Sequence, residues 1–492
     1  MSRTAALALV ATLAVGCGST VQVRGTAGLG TDPQLDAGGV AVGPGAVADR
    51  PADPSAVDPS QPGRLRSVPH GTAAPSAPGG RAPTAPGALR RTGLKPVQVG
   101  FLVAKNNAAV ASSLGFKLDN GNERQVVETL LSAANATGGL AGHKVVPVWH
   151  ELDPGTTQTV AEIGQETCAR FTDDAHVVAA VGLQLGDTGD ACLSGKGIPA
   201  FNGSTQTAYS EADYRRMRTV ASLGITPRIE AAAVAESAVR QQYLSGKPKV
   251  GVISYDNPPF HDAVDNVLLP KLRAAGGQMD SSNVVYGPVV DQVSDLSAVA
   301  TAMQSAVLRF QRNRVTHVVF LTNAAASALV FMQQAESQRA TFRYALSSND
   351  APQVLIDQGV AARQLAGAVA AGWDPYLDVR VDKVGAPPSG RAWCARVLAK
   401  LKLAKGSNAE WIAYMHCDAV QLLLAAGARV SGDLTPASLT AALGNVGPLA
   451  SANTWSARIA SDHRWGVAGF RLSSYGKACG CFTYLGRMTL PV

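Results

Sequence analysis

The chain has 492 residues, 46% of them hydrophobic and 16% charged, with a formal net charge of +7. That length and apolar content can bury two or three packed domains, which excludes a fibrous or wholly disordered protein. Its basic residues are scattered, with Arg90-Arg91 and Arg215-Arg216 the notable doublets and no basic stretch laced with aromatics, so a nucleic-acid partner is not expected.

The chain opens with Arg3 and the apolar run Ala5 to Val15, too short to span a bilayer as a helix. It then reads Ala14-Val15-Gly16-Cys17, small residues just before a cysteine. This resembles the lipobox of bacterial lipoproteins, with Ala where Leu is more usual. The resemblance implies a signal peptide over 1–16, a lipid on Cys17 and an extracytoplasmic protein anchored to the bacterial cell membrane. The competing reading is an ordinary signal peptide cleaved nearby, with Cys17 incidental. Residues 17–95 are rich in Pro, Gly and Ala and have neither helical nor strand period, which predicts a disordered tether. No later apolar run approaches the ~20 residues of a spanning helix.

From Val97 the texture changes to strand-like apolar runs alternating with helical periodicity. Strands are expected at 97–104, 144–149, 176–181 and 198–201, with helices at 122–136 and 157–171 between them. The rhythm restarts after a helix over 227–243. Strands follow at 249–254, 283–286, 315–321, 342–347 and 365–371, and helices at 260–275, 296–312 and 324–337. The last part differs: helices at 390–403, 411–430 and 436–443, then a β-like tail from Trp465 through Leu485. The βαβα rhythm, twice over, predicts an α/β protein of two doubly wound lobes with parallel sheets.

Six cysteines remain beyond Cys17, an even number suited to an oxidising compartment. Sequence proximity favours Cys168–Cys192, Cys394–Cys417 and Cys479–Cys481, with alternatives such as Cys394–Cys479 open. Cys479-Gly480-Cys481 lacks the spacer and second ligand pair of a zinc site, and neither a metal nor a cofactor is expected. There is no Gly-x-Ser-x-Gly and no His-Glu-x-x-His, so no enzyme is expected. His317, inside an apolar strand, reads as a core residue.

Small polar residues recur just after the strands. They are Asn106 and Asn107; Gln184, Gly186, Asp187 and Thr188; Asn202 to Thr205; Asp256 and Asn257; Asn323; and Ser348, Asn349 and Asp350. Ligands of open α/β sheets bind outside the carboxyl ends of the strands. Taken singly these are ordinary turn and cap residues. Together, on two lobes, they suggest a cleft for a small polar molecule.

Several stretches, in order, carry a resemblance to a family. They are Val97-Gln-Val-Gly-Phe-Leu-Val103, Asn135-Ala-Thr-Gly-Gly-Leu-Ala-Gly142, Val177-Val-Ala-Ala-Val-Gly182, Ile198-Pro-Ala-Phe-Asn-Gly-Ser204, Lys249-Val-Gly-Val-Ile-Ser-Tyr255, and Gly447-Pro448 followed by Trp455. Over 97–492 the chain resembles type I periplasmic binding proteins of the branched-chain amino-acid-binding group, which feed ABC importers. The resemblance implies two lobes (97–224 with 373–447, and 225–372 with 448–492). They would be joined by three crossings near 223–226, 372–374 and 447–450 and close by hinge motion. It also places a family disulfide on Cys168 and Cys192. Gly186–Thr188 with Ser204 and Thr205 would hold a ligand carboxylate. The loop from Asp256 to Phe260, Asn323 and Tyr376 would form walls, and Ser348–Asp350 would supply an acid for an ammonium. Asp187 and Asn323 depart from the family pattern, so a polyamine, amide or polyol-like solute fits the mouth as well as an amino acid. The implied partners are a small polar ligand and an ABC transporter permease, with the protein monomeric. The alternative is a surface sensor or structural module of the same fold that acts through a protein partner.

Overall fold

The structure, a computed structural model, describes residues 94–105, 119–153, 156, 158–183, 186–206, 209–289 and 296–489. Cys17, the signal segment and the tether up to residue 93 lie outside the described residues, as do Asn106, Asn107 and Gln184. Leu94 and Lys95, expected in the tether, instead begin strand β1 (Leu94–Ala104). Leu94 pairs in register with His143, and His143 Nδ1 lies 2.7 Å from the Lys95 carbonyl.

Lobe 1 is a five-stranded sheet in the order β2-β1-β3-β4-β5. The strands are β1, β2 (His143–Leu152), β3 (Ala179–Gly182), β4 (Ala200–Asn202) and β5 (Val220–Ser222). All its pairings are parallel. Parallel sheets need helical crossovers on their faces, and the apolar runs of the sequence are what such doubly covered strands require. One face packs Val126, Leu130 and Val127 of the helix Glu123–Ala136 and much of the helix Asn408–Gly427. The other packs Phe171, Leu193 and Tyr214. Asn122 caps the first helix by accepting from the Gln125 N–H.

Lobe 2 is seven-stranded, in the order β14-β13-β10-β9-β8-β6-β7. Its parallel part is β6 (Lys249–Tyr255), β7 (Gln278–Gly287), β8 (His317–Leu321), β9 (Arg343–Ser347) and β10 (Val369–Gly372). The tail adds β13 (Phe470–Gly476) and β14 (Cys481–Thr489) antiparallel at one edge. Every residue of β8 is buried, and the sheet is covered on one face by Phe310 and Phe331 and on the other by Val234, Tyr243 and Leu272. His317 sits in this core against the Tyr243 ring, 4.7 Å between centroids. Burial pushes its pKa down to about 4, so it is neutral.

Three passages of chain join the lobes. The first follows β5 into the helix Pro227–Arg240, and the second follows β10 through Trp373 and Asp374. The third lies later than the sequence suggested. Strands β11 (Gly447–Leu449) and β12 (Ala457–Ile459) pair with each other, and Ala457 and Ile459 belong to the lobe 1 core. Trp465 still bridges to Ser222 of β5, and the chain enters lobe 2 between Gly466 and Phe470. The expected crossing at 447–450 is therefore a surface ribbon of lobe 1.

Disulfides join Cys168 to Cys192, Cys394 to Cys417 and Cys479 to Cys481. The first ties the helix Val160–Ala169 to the helix Gly186–Gly195, and the second ties the helix Arg391–Leu398 to the helix Asn408–Gly427. No described helix is long and apolar enough to cross a membrane.

Candidate functional site

Strand order points to the site. In lobe 1 the order reverses between β1 and β3, and in lobe 2 between β6 and β8. A crevice opens where adjacent loops leave a parallel sheet in opposite directions. Of the lobe 1 loops there, the one after β3 is partly described. In lobe 2 they are the loop after β6, which contains Asp256 and Asn257, and the loop after β8, which contains Asn323.

The two lobes meet on one apolar cluster. It joins Leu183 after β3 to Ala325 after β8 and Ala351 after β9, together with Leu377, Trp411, Ile412 and Met415; Tyr376 and Val354 pack against it. Beside it lies a cavity of about 420 Å³. Its walls come from the lobe 2 helix Pro352–Asp357, the second crossing from Tyr376 to Val381, and Lys405 to Trp411 at the start of a lobe 1 helix. Aromatic and aliphatic surface from Tyr376, Trp411, Leu377 and Val354 is set against the amides of Gln353, Gln358 and Asn408, the Ser407 hydroxyl and the charges of Asp119, Asp357, Arg380 and Lys405. An aromatic and aliphatic wall facing convergent polar groups is a composition that can hold a small molecule.

Many of the expected ligand groups are engaged in the protein itself. Gly186 has φ +71°, a conformation suited to glycine, and opens the helix Gly186–Gly195. Thr188 lies inside that helix. Asp187 is 8% exposed and takes a 2.6 Å ion pair from Arg216, so the charge that would repel a carboxylate is matched. Ser204 accepts from the Gln206 N–H, and Thr205 donates to Asp374. Asp256 is exposed and pairs with His261, and Asn257 caps the following helix by accepting from the Phe260 N–H. Phe260, expected as a wall, is instead a core residue set edge-on to Tyr255, 3% exposed. Asp350, expected to face an ammonium, is fully buried and accepts from the Thr322 hydroxyl and the Ser347 N–H. It closes a capping box with Ser347, and Asn349, also fully buried, lies in the same short turn.

Two expected positions remain available. Asn323 is 5% exposed and its Oδ1 is buried without a hydrogen-bond partner. Tyr376 lines the cavity, with the Arg391 guanidinium 3.5 Å from its ring centroid. Arg391 is also stacked on Tyr414 and pairs with Glu410 at 2.9 Å.

Sequence reasoning placed the second crossing at 372–374 but gave Trp373 and Asp374 no part in the site. Trp373 is fully buried and donates from its indole to the Thr205 carbonyl at 3.0 Å. Asp374 accepts from Thr205 and from the Trp411 indole at 2.9 Å. Gln353, whose Oε1 is buried without a partner, was missed as well. The signal for Asp374 was its place before Pro375: an Asp followed by Pro reads as a helix cap, and Asp374 caps the short helix Pro375–Asp378.

A family model described as periplasmic binding protein matches residues 115–475. No curated protein matches the chain. A solved structure of a possible leucine/isoleucine/valine-binding protein from Rhodopirellula baltica SH 1 superposes with a TM-score of 0.55 at 14% identity, covering 80% of this chain and 96% of that one. A solute binding protein of an ABC transporter from Rhodopseudomonas palustris HaA2, in complex with p-hydroxybenzoic acid, gives 0.58 at 14% identity, covering 80% and 97%. An ABC transporter substrate-binding protein from Desulfitobacterium hafniense, in complex with Leu, gives 0.52 at 16% identity, covering 79% and 100%. At these identities the likenesses establish the fold.

Proposed function

Because the chain belongs to the periplasmic binding protein family, we propose that it captures a small solute between its lobes and delivers it to an ABC importer. The carrying observation is the apolar cluster that joins Leu183 of lobe 1 to Ala325 and Ala351 of lobe 2, with Trp411 and Tyr376 at its side. Solute bound there would touch both lobes and so favour their closed arrangement. With Asp187, Asp256 and Asp350 engaged elsewhere, what both lobes and the second crossing turn toward the cavity together is the aromatic and aliphatic wall of Trp411, Tyr376, Leu377 and Val354, with polar groups around it. We therefore read the solute as one with an apolar or aromatic body and one or two polar ends. Leucine and p-hydroxybenzoate, bound by two of the similar proteins, are of that kind. In this reading Asn323 offers an amide to the polar end, while Gly186, Thr188 and Ser204 shape the lobe 1 rim. A lipid on Cys17 would hold the protein outside the membrane near its permease, and the protein would act as a monomer.

A thermal-shift screen of the purified chain against aliphatic amino acids, aromatic carboxylates, polyamines and sugars tests this. A ligand at ~100 times its dissociation constant adds about 2.7 kcal/mol, a rise of a few degrees. The expected hit is an apolar amino acid or an aromatic carboxylate, weakened by Asn323→Ala. A polyamine or sugar hit would overturn the solute class. No hit in any class would overturn solute capture.

A further inference from the structure

Away from the cleft, lobe 1 carries a second pocket, of about 390 Å³, beside the first and third crossings. One wall is the helix Glu211–Arg216 with Arg218; the other is the turn from Ser461 to Trp465. The Ser222 N–H donates to the Arg464 carbonyl at 3.0 Å, and the Gly466 and Val467 N–H groups donate to the Gly224 carbonyl. Both walls therefore run straight into passages between the lobes.

The lining is unusual in its charge. Arg215, Arg218 and Arg464 all line it. The neighbouring Arg216 is spent on Asp187 and Asp213, whereas these three form no ion pair among the described residues. Arg464 is half-buried, with Nη1 fully enclosed and without a hydrogen-bond partner. Trp465 Nε1 is likewise buried and unpartnered. Burial pulls the Arg464 pKa below its usual value, with no carboxylate to oppose the shift. An enclosed guanidinium without a counter-charge is costly, and so is an enclosed donor without an acceptor. Of the two carboxylates in the lining, Glu211 already accepts from the Thr226 hydroxyl at 2.5 Å, and Asp462 is exposed. The Tyr214 and Trp465 rings lie 5.8 Å apart and supply apolar surface between the cations.

We propose that this pocket binds a small molecule bearing phosphate or carboxylate groups, held by Arg464, Arg215 and Arg218 with the Trp465 indole as a further donor. Guanidinium groups suit such oxyanions because their N–H donors match two oxygens at once. A bound oxyanion would tie the 211–218 segment to the 461–465 turn.

Isothermal titration of the full chain with pyrophosphate, and separately with citrate, at ionic strength held constant with NaCl, tests the proposal. At least one anion is expected to bind and to raise the melting temperature; which of the two does so distinguishes a phosphate from a carboxylate ligand. Arg464→Gln should weaken binding by at least about tenfold. The exposed pair Arg215→Gln/Arg218→Gln should do the same, and it keeps the test alive should the half-buried substitution fail to fold. The pair Arg240→Gln/Arg273→Gln, which removes the same two charges from helices of lobe 2, should leave binding unchanged. Binding of neither anion would overturn the proposal. So would equal weakening by Arg240→Gln/Arg273→Gln and by Arg215→Gln/Arg218→Gln, which would mean attraction to net charge alone.

Discussion

The Thr205 hydroxyl, just past the end of β4, donates to Oδ2 of Asp374 on the second crossing across 2.7 Å, and both residues are fully buried. The same carboxylate accepts from the Trp411 indole, while Trp373 donates to the Thr205 carbonyl. A loop assigned to a ligand from sequence is thus fastened to the passage between the lobes. Thr205→Val keeps the shape and removes the donor. Leaving a buried acceptor short of a partner costs about 1–3 kcal/mol. Urea denaturation should show that loss, whereas an unchanged midpoint would mean the contact contributes nothing.

Gly203 is where β4 meets the helix Asn408–Gly427. A Cβ there would lie 2.0 Å from the Met415 carbonyl oxygen and 2.9 Å from the Ala419 Cβ. Backbone cannot yield as a side-chain tip can. Gly203→Ala should cost at least the ~1–3 kcal/mol of overpacking a core and should displace Ser204 and Thr205. Its thermal midpoint, compared with that of the parent chain, checks this.

Buried carboxyls give the protein an acid-favoured stability. Burial pushes Asp190, Asp350 and Asp418 up to about 7 and Asp374 to about 6, against an ordinary 3.8. In that window the folded chain holds protons that the unfolded chain has released. Stability therefore falls as pH rises from about 4 to about 7. Exposed carboxylates held low by partners, such as Asp382 beside Arg380, lose their contribution only at more acid pH. The melting temperature should be higher near pH 5.5 than near pH 8. A flat or opposite profile would contradict the burial of these groups as neutral acids.

The bond Cys168–Cys192 closes a loop of 24 residues between two helices of lobe 1. Cross-links of that span contribute about 3 kcal/mol, mostly by restricting the unfolded chain. The double substitution Cys168→Ser/Cys192→Ser should lower the melting temperature by several degrees. Non-reducing peptide mapping should recover this pair, Cys394–Cys417 and Cys479–Cys481.

Much of the architecture was legible because burial on both faces leaves its mark in sequence. The run Val315 to Leu321 reads as a strand for the same reason that all of β8 is buried. The helix at 296–312 was legible from its periodicity and matches at both ends. The short elements were not. The helix Gly186–Gly195 has three glycines and begins where sequence suggested a binding loop, and β11 with β12 carries too few residues to show a period. The site was harder still. Asp350 and Asn257 have the composition of ligand groups but serve as caps, and no local pattern separates the two uses. Trp373 and Asp374 take their meaning from Thr205 and Trp411, partners far away in the chain.

A solute captured in the cleft would be held by both lobes at once. Hydrogen–deuterium exchange of the chain with and without the strongest solute from the screen tests it most directly. Capture by both lobes predicts simultaneous protection of the lobe 1 segments 186–188 and 203–206, the lobe 2 segments 322–326 and 349–354, and the second crossing at 373–377. Protection confined to one lobe, or its absence from all of these segments while the solute is bound, would contradict it.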